Sequence, residues 1–125
     1  TDKLGSPFWS ASMRERRCLI PLDRFAEAEG PKGKMTRTWY AMPDGEQFHC
    51  AGLWRDSAEW GRVYSMVMTE AAGVVKRVHG RMPVILEPDD YDSWLSGPAE
   101  YAKTLCQPYA GLLNENRTSD LWVKR

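Results

Sequence analysis

The segment 78–86 holds the side chains of this sequence that are best suited to acid–base chemistry and anion binding. His79 and Arg81 stand two residues apart in the run Val-His-Gly-Arg-Met-Pro-Val-Ile-Leu. An imidazole can accept or donate a proton near neutral pH, and a guanidinium can bind an anionic oxygen. Pro83 has no backbone N–H, so its apolar run can form only an edge strand or the start of one. We therefore expect His79 and Arg81 at the mouth of a strand.

Glu27 is a carboxylate that could exchange protons at such a site. It lies in the alternating segment Phe25-Ala26-Glu27-Ala28, which is typical of a strand. Alternation puts Glu27 on the same face as Phe25 and opposite both alanines. An aromatic neighbour can partly desolvate a carboxylate, which raises its pKa toward the range that is useful for proton transfer. An outward-facing surface glutamate is the alternative interpretation of the same pattern.

The cysteines and the second histidine do not form a pattern that predicts a metal site. Cys18, Cys50 and Cys106 are odd in number, far apart and without C-x-x-C spacing, so neither a disulfide framework nor a zinc site is indicated. Buried, unreactive thiols are the favoured interpretation. His49 lies between apolar neighbours, where a hydrogen-bonded structural imidazole is commoner than a ligand. We expect no metal and no cofactor.

Length and charge narrow the class of protein. The chain has 125 residues, the size of one domain, and 42% of them are hydrophobic. Its 17 basic and 17 acidic residues cancel, so no overall field attracts nucleic acid, although residues 1–40 hold eight Lys or Arg against five acids. No run approaches the ~18 apolar residues that a membrane span needs. We expect a cytoplasmic monomer that has no membrane partner.

The elements that must position these residues are short. Aromatic and β-branched runs predict strands, Pro7 and Pro98 can each begin a helix, and Thr69 is a good helix N-cap. The predicted strands are 18–20, which ends at Pro21, and 25–28, 38–42, 48–54 and 63–68; the predicted helices begin at Pro7 and cover 69–77, 88–95 and 98–105; residues 55–61 are predicted to be a polar link and residues from 107 onward to be loop and tail.

The order of these elements predicts the fold class. The strands 38–42 and 48–54 flank the turn Pro43-Asp44-Gly45, which predicts a hairpin. Strands are many, helices are few, and strand and helix do not alternate as in βαβ units. This pattern predicts an α+β fold that is mainly antiparallel β-sheet or a partly closed barrel, with short peripheral helices.

Several short motifs occur in an order that resembles a known family. The ordered set, over roughly residues 1–95, resembles the SOS-response-associated peptidase (SRAP) family. The motifs are Arg-Arg-Cys-Leu-Ile-Pro at 16–21, Phe-Ala-Glu at 25–27, Ala-Gly-Leu-Trp at 51–54, Met-Thr-Glu-Ala at 68–71, His-Gly-Arg-Met-Pro-Val-Ile-Leu at 79–86 and Pro-Asp-Asp-Tyr-Asp-Ser-Trp-Leu at 88–95.

The resemblance implies a DNA-damage protein that binds single-stranded DNA and traps abasic sites. In the family, a cysteine exposed by removal of the initiator Met forms a Schiff base with the ring-opened sugar, and its thiol closes a thiazolidine ring. By the same resemblance, Glu27 would move protons during imine formation and reversal, and His79 would contact the sugar oxygens and assist ring opening. Arg81, together with Thr69, would face DNA phosphates.

The sequence also departs from the family pattern. The N-terminal cysteine is absent, and so is the asparagine of an Asn-Ala-Arg block that would lie just before Thr1. Ala26 and Ala28 stand where the family has aromatic residues, which removes a possible base-stacking surface. The tail from Gly111 to Arg125 matches the family poorly.

We therefore predict a single SRAP-like domain over residues 1–125, incomplete at its N-terminus, that acts on abasic DNA in its full-length form. Two alternatives stay open at this point. One is a non-catalytic module that binds single-stranded DNA on the same scaffold. The other is a thiol peptidase that releases its own N-terminus.

Overall fold

The computed structural model describes residues 7–123. Short strands dominate this part of the chain, and the helices are brief. In chain order the elements are α1 (Pro7–Glu15), β1 (Arg17–Leu22), β2 (Phe25–Glu29), β3 (Thr36–Ala41), β4 (Phe48–Ser57), β5 (Gly61–Met66), β6 (Met68–Glu70), a first 3₁₀ helix (Gly73–Arg77), β7 (Arg81–Pro83), β8 (Ile85–Leu86), a second 3₁₀ helix (Pro88–Asp90), α2 (Tyr91–Ser96), α3 (Ala99–Thr104) and β9 (Asn114–Leu121).

The strands form three antiparallel sheets. Sheet A has the order β1-β4-β5, and β8 also pairs with β4. Sheet B has the order β2-β3-β9, and sheet C consists of β6 and β7. Between residues 7 and 123, no pairing closes these sheets into a full barrel. The predicted α+β fold of mainly antiparallel sheet with short peripheral helices is confirmed.

Strand β4 is the centre of the molecule because both of its faces are buried. Side chains alternate across a strand, so odd and even positions contact different layers. Two clusters of buried residues cover these faces: the odd-numbered Ala51 and Leu53 of β4 belong to cluster 1, and the even-numbered Phe48 and Cys50 belong to cluster 2. Cluster 1 is Met13, Ala51, Leu53, Val67, Val84, Leu86, Trp94 and Ala102. Cluster 2 is Phe25, Tyr40, Phe48, Cys50, Ala71, Val75, Met82 and Ile85.

Cluster 2 joins sheet B to the rest of the chain. The rings of Phe25 and Tyr40 stack with their centroids 5.3 Å apart, and the Phe48 ring meets Phe25 edge-on at 6.4 Å. Aromatic pairs of this kind stabilise a core beyond the area that they bury. Because Phe48 begins β4, these contacts fix sheet B against sheet A.

The predicted hairpin between β3 and β4 is wrong. Strand β3 pairs with β2 and β9, whereas β4 pairs with β1, β5 and β8. A β-turn with a hydrogen bond from Gly45 N–H to Met42 O (2.9 Å) instead passes the chain from sheet B to sheet A. The physical reason is burial, since β4 is apolar on both faces and needs a covering layer on each side.

Four other elements differ from the sequence-based expectations. The polar residues 55–61 are the ends and tip of a β4–β5 hairpin, and β1 continues through Pro21, which an edge strand tolerates. Thr69 lies within β6, so it is not a helix N-cap, and the 3₁₀ helix begins only at Gly73. The expected tail contains β9, whose mostly exposed side chains show no apolar alternation. The helices expected at Pro7, over 88–95 and after Pro98 are confirmed.

Among the described residues, no helix has the length and apolar character that crossing a membrane would require.

Candidate active site

Glu27 and His79 come from distant parts of the sequence and face each other in the structure. Glu27 lies in the middle of β2, and His79 lies in the loop that joins β6 to β7. The distance from Glu27 Oε2 to His79 Nδ1 is 3.6 Å. The side chains keep 13% and 42% of their exposure respectively, so both reach solvent. The fold therefore brings together the two residues that the sequence singled out for proton transfer.

Cluster 2 positions this pair. Phe25, two residues before Glu27 on the same face of β2, is buried in the cluster. On the other side, Val75 and Met82 are completely buried and flank His79 along the chain. A backbone hydrogen bond from His79 N–H to Val75 O (2.9 Å) closes the turn between them. The carboxylate and the imidazole are thus held by apolar residues of one core.

Glu27 lies in a partly desolvated environment. Burial raises the pKa of its carboxyl group, and the neighbouring charge of His79 opposes this effect. A carboxyl group that keeps its proton to a higher pH is a better general acid near neutrality. The raised pKa agrees with the desolvation expected for Glu27 on the Phe25 face of β2. It does not agree with the alternative of an ordinary surface glutamate.

His79 Nδ1 has two arrangements that differ by one proton. It lies 3.1 Å from the Arg81 backbone nitrogen and 3.0 Å from the Arg81 backbone oxygen. Without a proton, Nδ1 accepts a hydrogen bond from the Arg81 N–H group. With a proton, it donates toward the Arg81 carbonyl oxygen or the Glu27 carboxylate. The backbone of β7 therefore supports both states of the ring.

Arg81 and Thr69 lie beside this pair in sheet C. Arg81 Nη2 donates to the Met68 carbonyl oxygen at 3.3 Å, so the guanidinium extends along β6. Thr69 pairs with Met82 in the same sheet and is only 8% exposed, which leaves a small surface for a ligand. Phosphate binding by either residue stays a prediction.

Two residues of β9 that sequence reasoning missed, Glu115 and Arg117, lie on the same face of sheet B as Glu27. Thr38 is the cross-strand partner of both Glu27 and Arg117, and Glu115 is two residues from Arg117. The contacts are Thr38 Oγ1 to Glu29 Oε1 (2.5 Å), Tyr40 Oη to Glu115 Oε2 (3.0 Å), Arg117 Nη2 to Glu29 Oε2 (2.8 Å), Arg77 Nη2 to Glu115 Oε1 (3.4 Å) and Arg117 Nε to Glu115 Oε1 (3.8 Å). The only sequence signal for this network is the spacing of Glu29 two residues after Glu27.

An aromatic ring from the next strand lies beside Ala26. Trp39 is the cross-strand partner of Ala26, on the face of sheet B opposite to Glu27. The Arg24 guanidinium lies 3.8 Å from the centroid of the Trp39 ring, a cation–π stack. A small side chain at 26 leaves room for this ring.

The cysteines are poor nucleophiles in this fold. Burial raises the pKa of Cys18, that of Cys50 to about 12 and that of Cys106 to about 11, so these thiols stay protonated at neutral pH. His49 Nδ1 lies 3.1 Å from the Tyr91 hydroxyl, as expected for a structural imidazole. Within residues 7–123, no group of three or more His, Cys, Asp or Glu side chains could hold a metal ion.

A groove elsewhere on the molecule does not include the predicted site. It has a volume of about 600 Å³ on sheet A and is lined mainly by apolar residues of β1, with Trp54 and Tyr64 from β4 and β5. Glu27 and His79, the residues predicted for acid–base chemistry, lie outside this groove, at a surface where both side chains reach solvent. We place the candidate active site there.

Replacing Glu27 by glutamine is expected to change the pH dependence of stability. Because the folded-state pKa of Glu27 is raised, its ionisation costs stability as pH rises above its ordinary value of 4.5. Glu27→Gln should therefore gain stability relative to the wild type between pH 4 and pH 7, as measured by urea unfolding. Glu100→Gln, a highly exposed control, should show no such gain. A Glu27→Gln gain that shrinks as pH rises would contradict the desolvation of Glu27.

Comparison with known proteins agrees with the fold and the motifs. The family model described as SOS response associated peptidase (SRAP) matches residues 2–121. This range includes β9, so the expectation that residues from Gly111 onward depart from the family is wrong for most of the tail. Thr1 and the block expected around Thr1-Asp2 lie outside the described residues.

Curated relatives cover most of the chain. This chain is 29% identical over 112 residues to the abasic site processing protein YoqW of Bacillus subtilis (strain 168), and the match covers 82% of this chain and 50% of that protein. It is 27% identical to the abasic site processing protein YobE of the same organism, with 82% and 51% covered. The chain spans about half the length of these relatives.

Solved structures show the same fold. A protein from Bacteroides thetaiotaomicron aligns with a TM-score of 0.79 at 18% identity, covering 91% of this chain and 54% of that one. A protein from Bordetella bronchiseptica aligns with a TM-score of 0.78 at 28% identity, covering 88% and 58%. The match of the family model to nearly all of the sequence, on a fold shared with these structures, shows that the chain belongs to the SOS response associated peptidase (SRAP) family.

Proposed function

We propose that this chain is a single SRAP-like domain, incomplete at its N-terminus, of a protein that binds single-stranded DNA and covalently traps abasic sites. The observation that carries the proposal is the 3.6 Å approach of Glu27 to His79 at a surface open to solvent. The curated relatives are named abasic site processing proteins, which supports a role at abasic sites. The nucleophile would be an N-terminal cysteine outside the sequence described here, and the protein would act as a cytoplasmic monomer.

Glu27 is assigned the proton transfers of imine formation. The cysteine amine adds to the C1′ aldehyde of the ring-opened sugar, and the resulting carbinolamine must lose its hydroxyl group as water. A protonated Glu27 gives the leaving hydroxyl its proton, which leaves a protonated imine, and the imine nitrogen then returns its proton to the Glu27 carboxylate. The thiol adds to the carbon of the neutral imine while its own proton passes to nitrogen, which closes the thiazolidine ring. Because this last attack is intramolecular, it makes a reversible imine durable.

His79 is assigned to opening of the sugar ring. The closed abasic sugar must lose the proton of its C1′ hydroxyl group and gain one on O4′ before an aldehyde exists. Nδ1 of His79 faces Glu27 and the backbone of Arg81, so we assign Nε2 to the sugar oxygen. The two states of Nδ1 would let the ring exchange a proton with Glu27 during this step. Arg81 would bind the neighbouring phosphate, and Thr69 would add its hydroxyl edge.

Adduct formation on a defined oligonucleotide tests the proposal. The full-length protein, mixed with single-stranded DNA that contains one abasic site, should give a band of reduced mobility that survives heating on a denaturing gel. Matched controls are an oligonucleotide with an intact base and the protein with its N-terminal cysteine changed to alanine; neither should give the band. Absence of the band from the wild-type reaction would overturn covalent trapping.

The same gel separates the proposal from its alternatives. Retardation on a native gel without a heat-stable band would indicate a module that binds DNA non-covalently. A thiol peptidase that uses Cys18, Cys50 or Cys106 is disfavoured because burial raises the pKa of all three thiols. The proposal of covalent trapping therefore rests on the geometry of Glu27 and His79, and not on a cysteine of this chain.

A further inference from the structure

Glu115 on β9 lies at the junction between the two segments that carry Glu27 and His79. Its side chain is only 14% exposed. One oxygen, Oε2, accepts a hydrogen bond from the Tyr40 hydroxyl group at 3.0 Å. The other, Oε1, lies 3.4 Å from Arg77 Nη2 and 3.8 Å from Arg117 Nε. A single carboxylate thus contacts a buried tyrosine and two guanidinium groups.

The Tyr40 contact connects Glu115 to the strand of Glu27. Tyr40 is completely buried, and its ring stacks on Phe25 with a centroid distance of 5.3 Å. Phe25 lies two residues before Glu27 on the same face of β2. A hydrogen bond that fixes the Tyr40 hydroxyl group therefore also restrains the aromatic rings that share a face of sheet B with Glu27.

The Arg77 contact connects Glu115 to the segment of His79. Arg77 is the last residue of the first 3₁₀ helix, two residues before His79. The buried Val75 anchors this helix in cluster 2, but the Arg77 side chain is 64% exposed and reaches outward to Glu115. The ion pair therefore attaches the C-terminal end of the helix to sheet B, close to where the chain turns toward His79.

We infer that Glu115 is a positioning residue, which holds the His79 segment against the Glu27 strand from a third element of the fold. This inference rests on the proposed function for its catalytic meaning. Arg117 lies on the same strand as Glu115 and pairs more closely with Glu29, at 2.8 Å. Arg77 is therefore the cation that links Glu115 to the loop of His79. Because Arg77 is largely exposed, we expect a moderate effect, about three- to tenfold on the adduct rate, rather than complete loss.

Two substitutions that remove opposite charges test the inference in the full-length protein. Glu115→Gln keeps a carbonyl oxygen for the Tyr40 hydroxyl group but loses the ion pair, and Arg77→Gln removes the partner. Both should lower the rate of adduct formation at saturating abasic DNA by about three- to tenfold, and the double variant should be no slower than the slower single variant, since both act through one contact.

The opposite charges distinguish positioning from DNA electrostatics. Loss of an acid should tighten DNA binding and loss of a base should weaken it, because phosphate contacts dominate affinity. An electrostatic role alone would therefore move the half-saturating DNA concentration in opposite directions and leave the saturated rates unchanged, which would overturn the inference. The control variants Asp56→Asn and Arg62→Gln break a pair of 3.2 Å in sheet A and should leave the saturated rate unchanged.

A second readout does not depend on abasic chemistry. In the 125-residue chain, the ring ¹H–¹⁵N NMR signals of His79 should shift in both Glu115→Gln and Arg77→Gln. The ring signals of His49 should not shift in these two variants, and the His79 signals should not shift in Asp56→Asn. If wild-type protein forms no adduct but these shifts occur, the proposed function fails and the positioning contact stands. If adduct forms in the wild type while the variants alter neither the saturated rate nor the His79 signals, the positioning role is wrong.

Discussion

Glu27→Gln in the full-length protein is expected to slow adduct formation with abasic single-stranded DNA by roughly 100-fold, the lower range for loss of a general acid–base group. Glutamine fills the same space and can still accept a hydrogen bond, but it cannot give a proton to the leaving hydroxyl group. Reversal of the adduct uses the same proton transfer in the opposite direction and should slow as well. Single-turnover rates at saturating DNA measure both effects.

Glu29→Gln is the matched control for this experiment. Glu29 is the next residue on the same face of β2, but its carboxylate binds Thr38 and Arg117 rather than His79. The same chemical change at position 29 should alter the rate less than about threefold, since it removes no group from the proton-transfer pair. Equal losses at positions 27 and 29 would show that net charge, and not proton transfer by Glu27, governs the reaction.

Trp94→Ala is expected to cost about 3–5 kcal/mol of unfolding free energy, the range for truncation of a large buried aromatic residue. Trp94 is completely buried in cluster 1, and its Nε1 donates to the Cys18 carbonyl oxygen at 2.8 Å. The substitution leaves a cavity between α2 and β1 and leaves that carbonyl oxygen without its donor. Small proteins are stable by only about 5–15 kcal/mol, so much of the total would be lost.

Urea unfolding of three variants checks this expectation. Leu95→Ala changes the adjacent residue of α2, which is 43% exposed, and should cost less than about 1 kcal/mol. Trp94→Phe keeps an aromatic ring without the N–H donor and should fall between the two. A Trp94→Ala protein that is as stable as Leu95→Ala would show that α2 does not hold sheet A.

Local sequence patterns predicted the strand face of Glu27 and the position of helix α2, because strand alternation and helical spacing are visible in short segments. Glu27 was placed on the Phe25 face because alternation along a strand is a local property, and the structure keeps that face. Helix α2 was expected from its acidic first turn and the spacing of Tyr91, Trp94 and Leu95, although spacing alone did not show that Trp94 is buried and Leu95 is exposed. The approach of Glu27 to His79 was expected only through the family resemblance, because no local pattern encodes a contact across 52 positions.

The parts that were missed depend on long-range pairing. Strand β9 has polar side chains on both faces, so its sequence shows neither a period of two nor an apolar run. It is a strand because β3 offers an open edge, and Glu115 and Arg117 reach the site only through that pairing. The incorrect hairpin has the same cause: a good turn at Pro43-Asp44-Gly45 was visible, whereas the need of β4 for cover on both faces was not.

Carbon-13 NMR titration of the Glu27 carboxyl group is the most direct test that Glu27 and His79 work as a pair. In the 125-residue chain, the pKa of Glu27 should lie above the ordinary 4.5 because burial raises it, and in His79→Gln it should rise further because the charge that lowers it is gone. Glu100, measured in the same spectra, should not move between the two proteins. A Glu27 carboxyl group that titrates at the ordinary value in both proteins would contradict the pairing of these residues and the chemistry assigned to them.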